Sequence, residues 1–177
     1  MRPNTLIYSS HNCSPYIHKE IIAERALQSH PDKRLIYLPM SEWPVRGDSY
    51  ESQKFGWDKV AWYFNKFRKW GLQPSPFFWN EGLRRSDLDI LWEALNNAPV
   101  VILGGGNTRL GMRRYRALGE LYNGDPSMFL RVLHARQERG LLTVGYSAGA
   151  DQLGSVFGGA LWAEGAPCAG FGLARDV

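Results

Sequence analysis

The chain has 177 residues, of which 44% are hydrophobic and 21% charged. That length suits one domain and leaves two cramped, and the composition supports a packed core and excludes wholesale disorder. A formal net charge of +4 is mildly basic and by itself names no partner.

The two cysteines, Cys13 and Cys168, form neither a C-x-x-C pair nor a metal-ligand spacing. They point to a reduced, cytoplasmic protein with no metal. Met1–Ser10 lacks a cationic segment followed by a long apolar run, so no signal peptide is read there. No apolar stretch reaches the length of a membrane span. The arginines gather at Arg113, Arg114 and Arg116, then Arg131, Arg136 and Arg139. They read as solvated helix faces, with a basic rim for an acidic substrate as the sharper alternative and no nucleic-acid footprint.

In chain order, Thr5–Ser9 is the first strand. Tyr16–Gln28 is helical, with Ile17, Ile21 and Leu27 near helical spacing. Arg34–Leu38 is a second strand stopped by Pro39, and Pro39–Ser49 is a loop. Tyr50–Trp70 reads as a long aromatic helix that stops at Gly71. Its aromatic stripe serves the core, a ligand platform or a subunit contact, which leaves a homo-oligomer open. Pro76–Trp79 is taken as the third strand. Ser86 then caps a helix to Asn97, whose positive end Asp87 and Asp89 favour.

Val100–Leu103 is a buried strand entering Gly104-Gly105-Gly106. Helices follow over Thr108–Leu121 and Ser127–Arg139, separated by the turn Asn123-Gly124-Asp125-Pro126. Leu141–Gly145 is a strand that runs straight into Ser147. Strands alternating with helices imply an α/β fold, a mostly parallel sheet with helices on both faces. Ligands of such sheets bind beyond the carboxyl ends of the strands, where both informative motifs lie.

The first motif is Gly145-Tyr146-Ser147-Ala148-Gly149. A serine between a strand and a helix, flanked by small residues, is a nucleophile elbow. The N–H of Ala148, at a helix N-terminus, is placed to hold an oxyanion. A glycine-rich turn without chemistry is the plain alternative. The second motif is Gly104-Gly105-Gly106-Asn107-Thr108. It has neither G-x-G-x-x-G nor a trailing Gly-Lys-Ser/Thr, which weakens a phosphate-cradle reading. A second oxyanion donor from a neighbouring loop fits better, and a tight turn is the bland reading.

Together, VILGGGNT (Val101–Thr108) and VGYSAGA (Val144–Ala150) resemble the serine peptidase family of peptidase E and, more distantly, cyanophycinase. The resemblance implies a class I glutamine amidotransferase-like α/β fold, a flavodoxin-like three-layer sandwich. It implies metal-free, cofactor-free cleavage of dipeptides or small peptides, including those with an N-terminal aspartate. Ser147 is then the nucleophile, Gly106 and Ala148 form the oxyanion hole, and Gly105 and Asn107 contact substrate. Glu164 is the nearest match to the acidic triad member, with Asp151 and Asp176 behind it. The family's histidine lies beyond the serine, and no histidine follows Ser147 here. The reading is therefore a single hydrolytic domain incomplete at its C-terminus, or else a binding paralogue on the same fold. His11, after the first strand, is a surrogate base; His18, His30 and His134 are expected on helices remote from the strand ends.

Overall fold

Five short runs form one parallel sheet in the computed structural model, which describes residues 4–8, 16–28, 31–42, 61, 64–157 and 168–174. They are β1 (Thr5–Tyr8), β2 (Arg34–Leu38), β3 (Gln73–Pro76), β4 (Val100–Leu103) and β5 (Leu142–Tyr146). Across the sheet their order is β1-β5-β4-β2-β3, every pair parallel. A second, antiparallel ribbon joins β6 (Val156–Phe157) to β7 (Cys168–Ala169).

The central strands are buried on both faces, and alternate side chains serve opposite layers. Ile36, Leu38, Val101 and Leu103 face α2 (Arg85–Asn97), α3 (Thr108–Asn123) and α4 (Met128–Glu138). Leu88, Leu95, Tyr115, Leu118, Phe129 and Leu133 close that layer. On the other face, Leu35, Tyr37, Val100, Ile102 and Val144 pack with Ile22, Ala23, Ala26, Phe64 and Phe67. The first three of those partners lie on α1, a π-helical stretch Ile17–Ala23 that runs on into the α-helical turn Glu24–Leu27. The sheet thus carries helices on both faces, as the alternation of segments required.

Several elements differ in detail from the sequence reading. The buried face of α1 is His18, Ile22 and Ala26, while Ile17, Ile21 and Leu27 are half-buried. A spacing of four suits the wider π turn.

The third strand is Gln73–Pro76 rather than Pro76–Trp79. Gln73 pairs with Arg34 and Pro76 with Tyr37. Gln73 and Phe77 donate their N–H groups to Lys33 and Tyr37, so the nitrogens of Pro74 and Pro76 turn to the open side. An edge strand tolerates prolines there because nothing pairs beyond it.

Ser86 does not cap α2. The helix starts at Arg85, and the Asp87 carboxylate accepts the Arg84 N–H at 2.8 Å instead. Gly71 does end the aromatic segment, in a left-handed conformation after the 3-10 turn Lys66–Trp70. Phe64 and Phe67 are core; most of Tyr50–Asn65 lies outside the described residues.

Arg114 and Arg136 are not on solvated faces. Both are buried. Arg136 donates to the carbonyls of Leu95 and Ala98 at the end of α2, and Arg114 to those of Met40 and Glu42. Helix carbonyls without intrahelical partners and a turn's carbonyls attract guanidinium groups that would otherwise stay in water.

Candidate active site

All five residues of β5 are buried, and the chain turns abruptly at the next one. Ser147 is exposed, with φ +52° and ψ −125°, the one non-glycine with positive φ among the described residues. Such a conformation costs about 1–3 kcal/mol and persists only where the surroundings enforce it. Here they do. A Cβ on Gly145 would lie 2.5 Å from the Gly149 carbonyl oxygen, and one on Gly149 would overlap the Leu103 carbonyl oxygen. Bare backbone lets α5 (Ala148–Leu153) seat directly on the ends of β4 and β5.

The triglycine loop after β4 reaches the same point. A Cβ on Gly105 would lie 3.2 Å from Ser147 Cβ and 3.5 Å from Ser147 Oγ. Gly106 has φ +129°, and a side chain there would collide with the Ser41 carbonyl. Asn107 closes the loop: its N–H donates to Ser41 O at 2.7 Å, and its carboxamide oxygen caps α3 by accepting the Leu110 N–H at 2.7 Å. Among the described residues nothing accepts from the N–H of Gly106 or of Ala148. Ala148 is the first residue of α5, where helical N–H groups lack intrahelical partners.

Beneath the serine lies a layer of tyrosines. Tyr37 and Tyr146 hydroxyls are 2.9 Å apart, and the Gly105 backbone bonds to the Tyr146 hydroxyl. Burial raises the pKa of both phenols, so they stay neutral and act as a fixed hydrogen-bonded support. Tyr8 stacks on Tyr146 at 5.7 Å, and His18 packs edge-on against Tyr8 at 6.0 Å. His18 is therefore not remote from the strand ends: it is buried against the last residue of β1, with its Nδ1 2.7 Å from Lys66 Nζ. Helix α1 returns over that end of the sheet, which element order alone did not reveal. His134 lies on α4, 2.8 Å from the Phe171 carbonyl.

Of the residues singled out in the sequence, Ser147, Gly105, Gly106 and Ala148 converge. Asn107 sits at the loop's exit with its side-chain oxygen committed to α3. Asp151 is exposed and accepts the Thr108 hydroxyl at 3.0 Å. Glu164, Asp176, His11 and His30 lie outside the described residues. Among the described residues, Ser147 Oγ has no hydrogen-bond partner, and no three His, Cys, Asp or Glu residues stand together as a metal site. The sequence reading missed the support from Ser41, Tyr37 and Tyr146; only the apolar, tyrosine-bearing strand ends hinted at it.

No family model and no curated protein matches the chain. Solved structures do. A peptidase from an acI-B1 Actinobacterium superposes with a TM-score of 0.63 at 16% identity over 96% of this chain. The chain spans 64% of that protein's length. A protein from Listeria monocytogenes EGD-e given the provisional name peptidase E matches with a TM-score of 0.59 at 13% identity, covering 98% of this chain and 76% of its own. These likenesses establish the fold as that of peptidase E-type proteins.

Proposed function

We propose that the chain is a serine-type peptidase of the peptidase E kind, acting on dipeptides or small peptides, including those with an N-terminal aspartate. The observation that carries this reading is Ser147, held at φ +52° on the strand-to-helix turn with the Gly105 backbone against its side chain. A hydroxyl presented this way attacks an acyl carbonyl lying over the triglycine loop. The developing oxyanion is received by the N–H groups of Gly106 and Ala148, two donors from separate loops. Loss of one such donor typically costs about 10²–10³ in kcat. The tyrosine layer keeps the floor of the site rigid while those groups act.

For the general base that takes the Oγ proton the chain offers His11 as a surrogate, and Glu164 is the nearest match to the acidic triad member; both lie outside the described residues. Asp151 is engaged elsewhere: one oxygen of its carboxylate accepts the Thr108 hydroxyl at the start of α3.

Labelling of the purified chain with a fluorophosphonate probe tests the reading. Labelling that is lost in Ser147→Ala supports an activated serine. Absence of labelling in a folded chain overturns the hydrolase for this polypeptide and leaves a binding protein on the same fold.

A further inference from the structure

A cavity of about 480 Å³ runs along α3, opening two residues beyond Gly105 and closed on its far side by β7. Neither Ser147 nor either proposed oxyanion donor lines it. Its volume falls within the roughly 300–1,000 Å³ of small-molecule sites. Three arginines line it: Arg109, Arg113 and Arg116. Spaced i, i+4 and i+7, they share one helix face. The helical rise sets the second about 6 Å and the third roughly 10 Å along the axis from the first.

No described aspartate or glutamate lines the cavity to balance them. Arg113 and Arg116 make no hydrogen bond or ion pair with a described residue, and both are exposed. Like charges at these spacings repel. Arg109 is held in place by donating to Cys168 Sγ on β7. The remaining wall includes Leu110, Met112 and Ala169, apolar side chains beside the arginines. A smaller hollow of about 120 Å³ shares Met112 and Arg116 and has Tyr115 and Phe171 in its walls.

We propose that this cavity binds a small polyanion, a molecule carrying two or more carboxylate or phosphate groups. Planar guanidinium forks take either group bidentately, so the shared chemistry is an oxyanion pair set several Å apart. The neighbouring hollow admits a short apolar part of the same ligand. The proposal stands on the α3 arginines and is independent of the chemistry at Ser147.

Calorimetric titration of the full chain with citrate and with inorganic pyrophosphate, at low ionic strength, tests it. Saturable binding is expected for at least one, weakened about tenfold or more in Arg113→Gln/Arg116→Gln. The equally charged control Arg131→Gln/Arg139→Gln keeps the parent affinity, as does Ser147→Ala, which separates this site from the hydrolase reading. The tighter of the two probes identifies a carboxylate or a phosphate ligand. A second readout is maleimide labelling of Cys168 in a Cys13→Ser background, slowed by the bound anion. No saturable binding of either probe below about 10 mM, or equal affinity in the arginine variant and the parent, overturns the proposal.

Discussion

The Cβ that Gly105 lacks would stand 3.2 Å from Ser147 Cβ and 3.3 Å from the Tyr146 ring. The backbone of the loop after β4 therefore lies against the side chains of Tyr146 and Ser147, and the room beside the serine depends on a missing methyl group. Gly105→Ala narrows that space. A neighbour must give by a few tenths of an ångström, which costs about 1 kcal/mol in stability. The fluorophosphonate labelling rate is expected to fall more than the melting temperature does. Equal labelling in Gly105→Ala would show that the loop does not border the Ser147 hydroxyl.

Gly149→Ala is a different kind of change. Its methyl group meets the Leu103 carbonyl, a backbone atom at the carboxyl end of the central strand β4. Helix α5 must lift from β4, at a cost of about 3 kcal/mol or more, so urea unfolding should show a large loss. Retained stability would place α5 further from the sheet than described here.

Arg114 connects packing to the site. Its Nη1 donates to the Met40 carbonyl at 2.6 Å and the Glu42 carbonyl at 2.9 Å. Between those residues, the Ser41 carbonyl receives the Asn107 N–H and blocks any side chain at Gly106. Arg114→Met leaves the carbonyls without this donor and is expected to cost about 2 kcal/mol. Because the turn beneath the triglycine loop loosens, Ser147 labelling should slow as well, beyond what a fall in the folded fraction explains.

Lys66 titrates in an accessible range. Burial of its ammonium beside His18 lowers its pKa from 10.5 to about 8. Between those values the unfolded chain holds a proton that the folded chain has released. The group's penalty on folding is therefore full below about pH 8 and is relieved as pH rises towards 10.5. Carbon-13 methylated lysines followed by NMR should include one that titrates near 8 and disappears in Lys66→Arg. If every lysine titrates in the ordinary range, the ammonium is better hydrated than its placement implies.

Much of the site was legible without coordinates because it is written in backbone rules. A strand followed by G-x-S-x-G forces a tight turn, and three consecutive glycines at a strand end mark close backbone approach. Both signals are local, so Ser147, Gly105, Gly106 and Ala148 emerge from the order of residues alone. The third strand misled for the same reason: a local rule starts it at Pro76 and leaves Pro74 outside, whereas an edge position accepts both prolines within Gln73–Pro76. Ser86 failed as a cap because Asp87, one residue on, serves the helix end from N3.

By itself, then, the sequence determined the alternation of strands and helices, the α/β class and the two glycine-rich loops at the strand ends, since these follow from local periodicity and glycine content. Tertiary structure alone decided that Gly105 touches Ser147, that Tyr8, Tyr37 and Tyr146 support the turn, and that Arg114 and Arg136 are buried while Arg113 and Arg116 line a cavity. Those facts depend on the order β1-β5-β4-β2-β3, which brings residues about forty or a hundred positions apart into contact. No local rule encodes that order; burial of both faces of the sheet selects it.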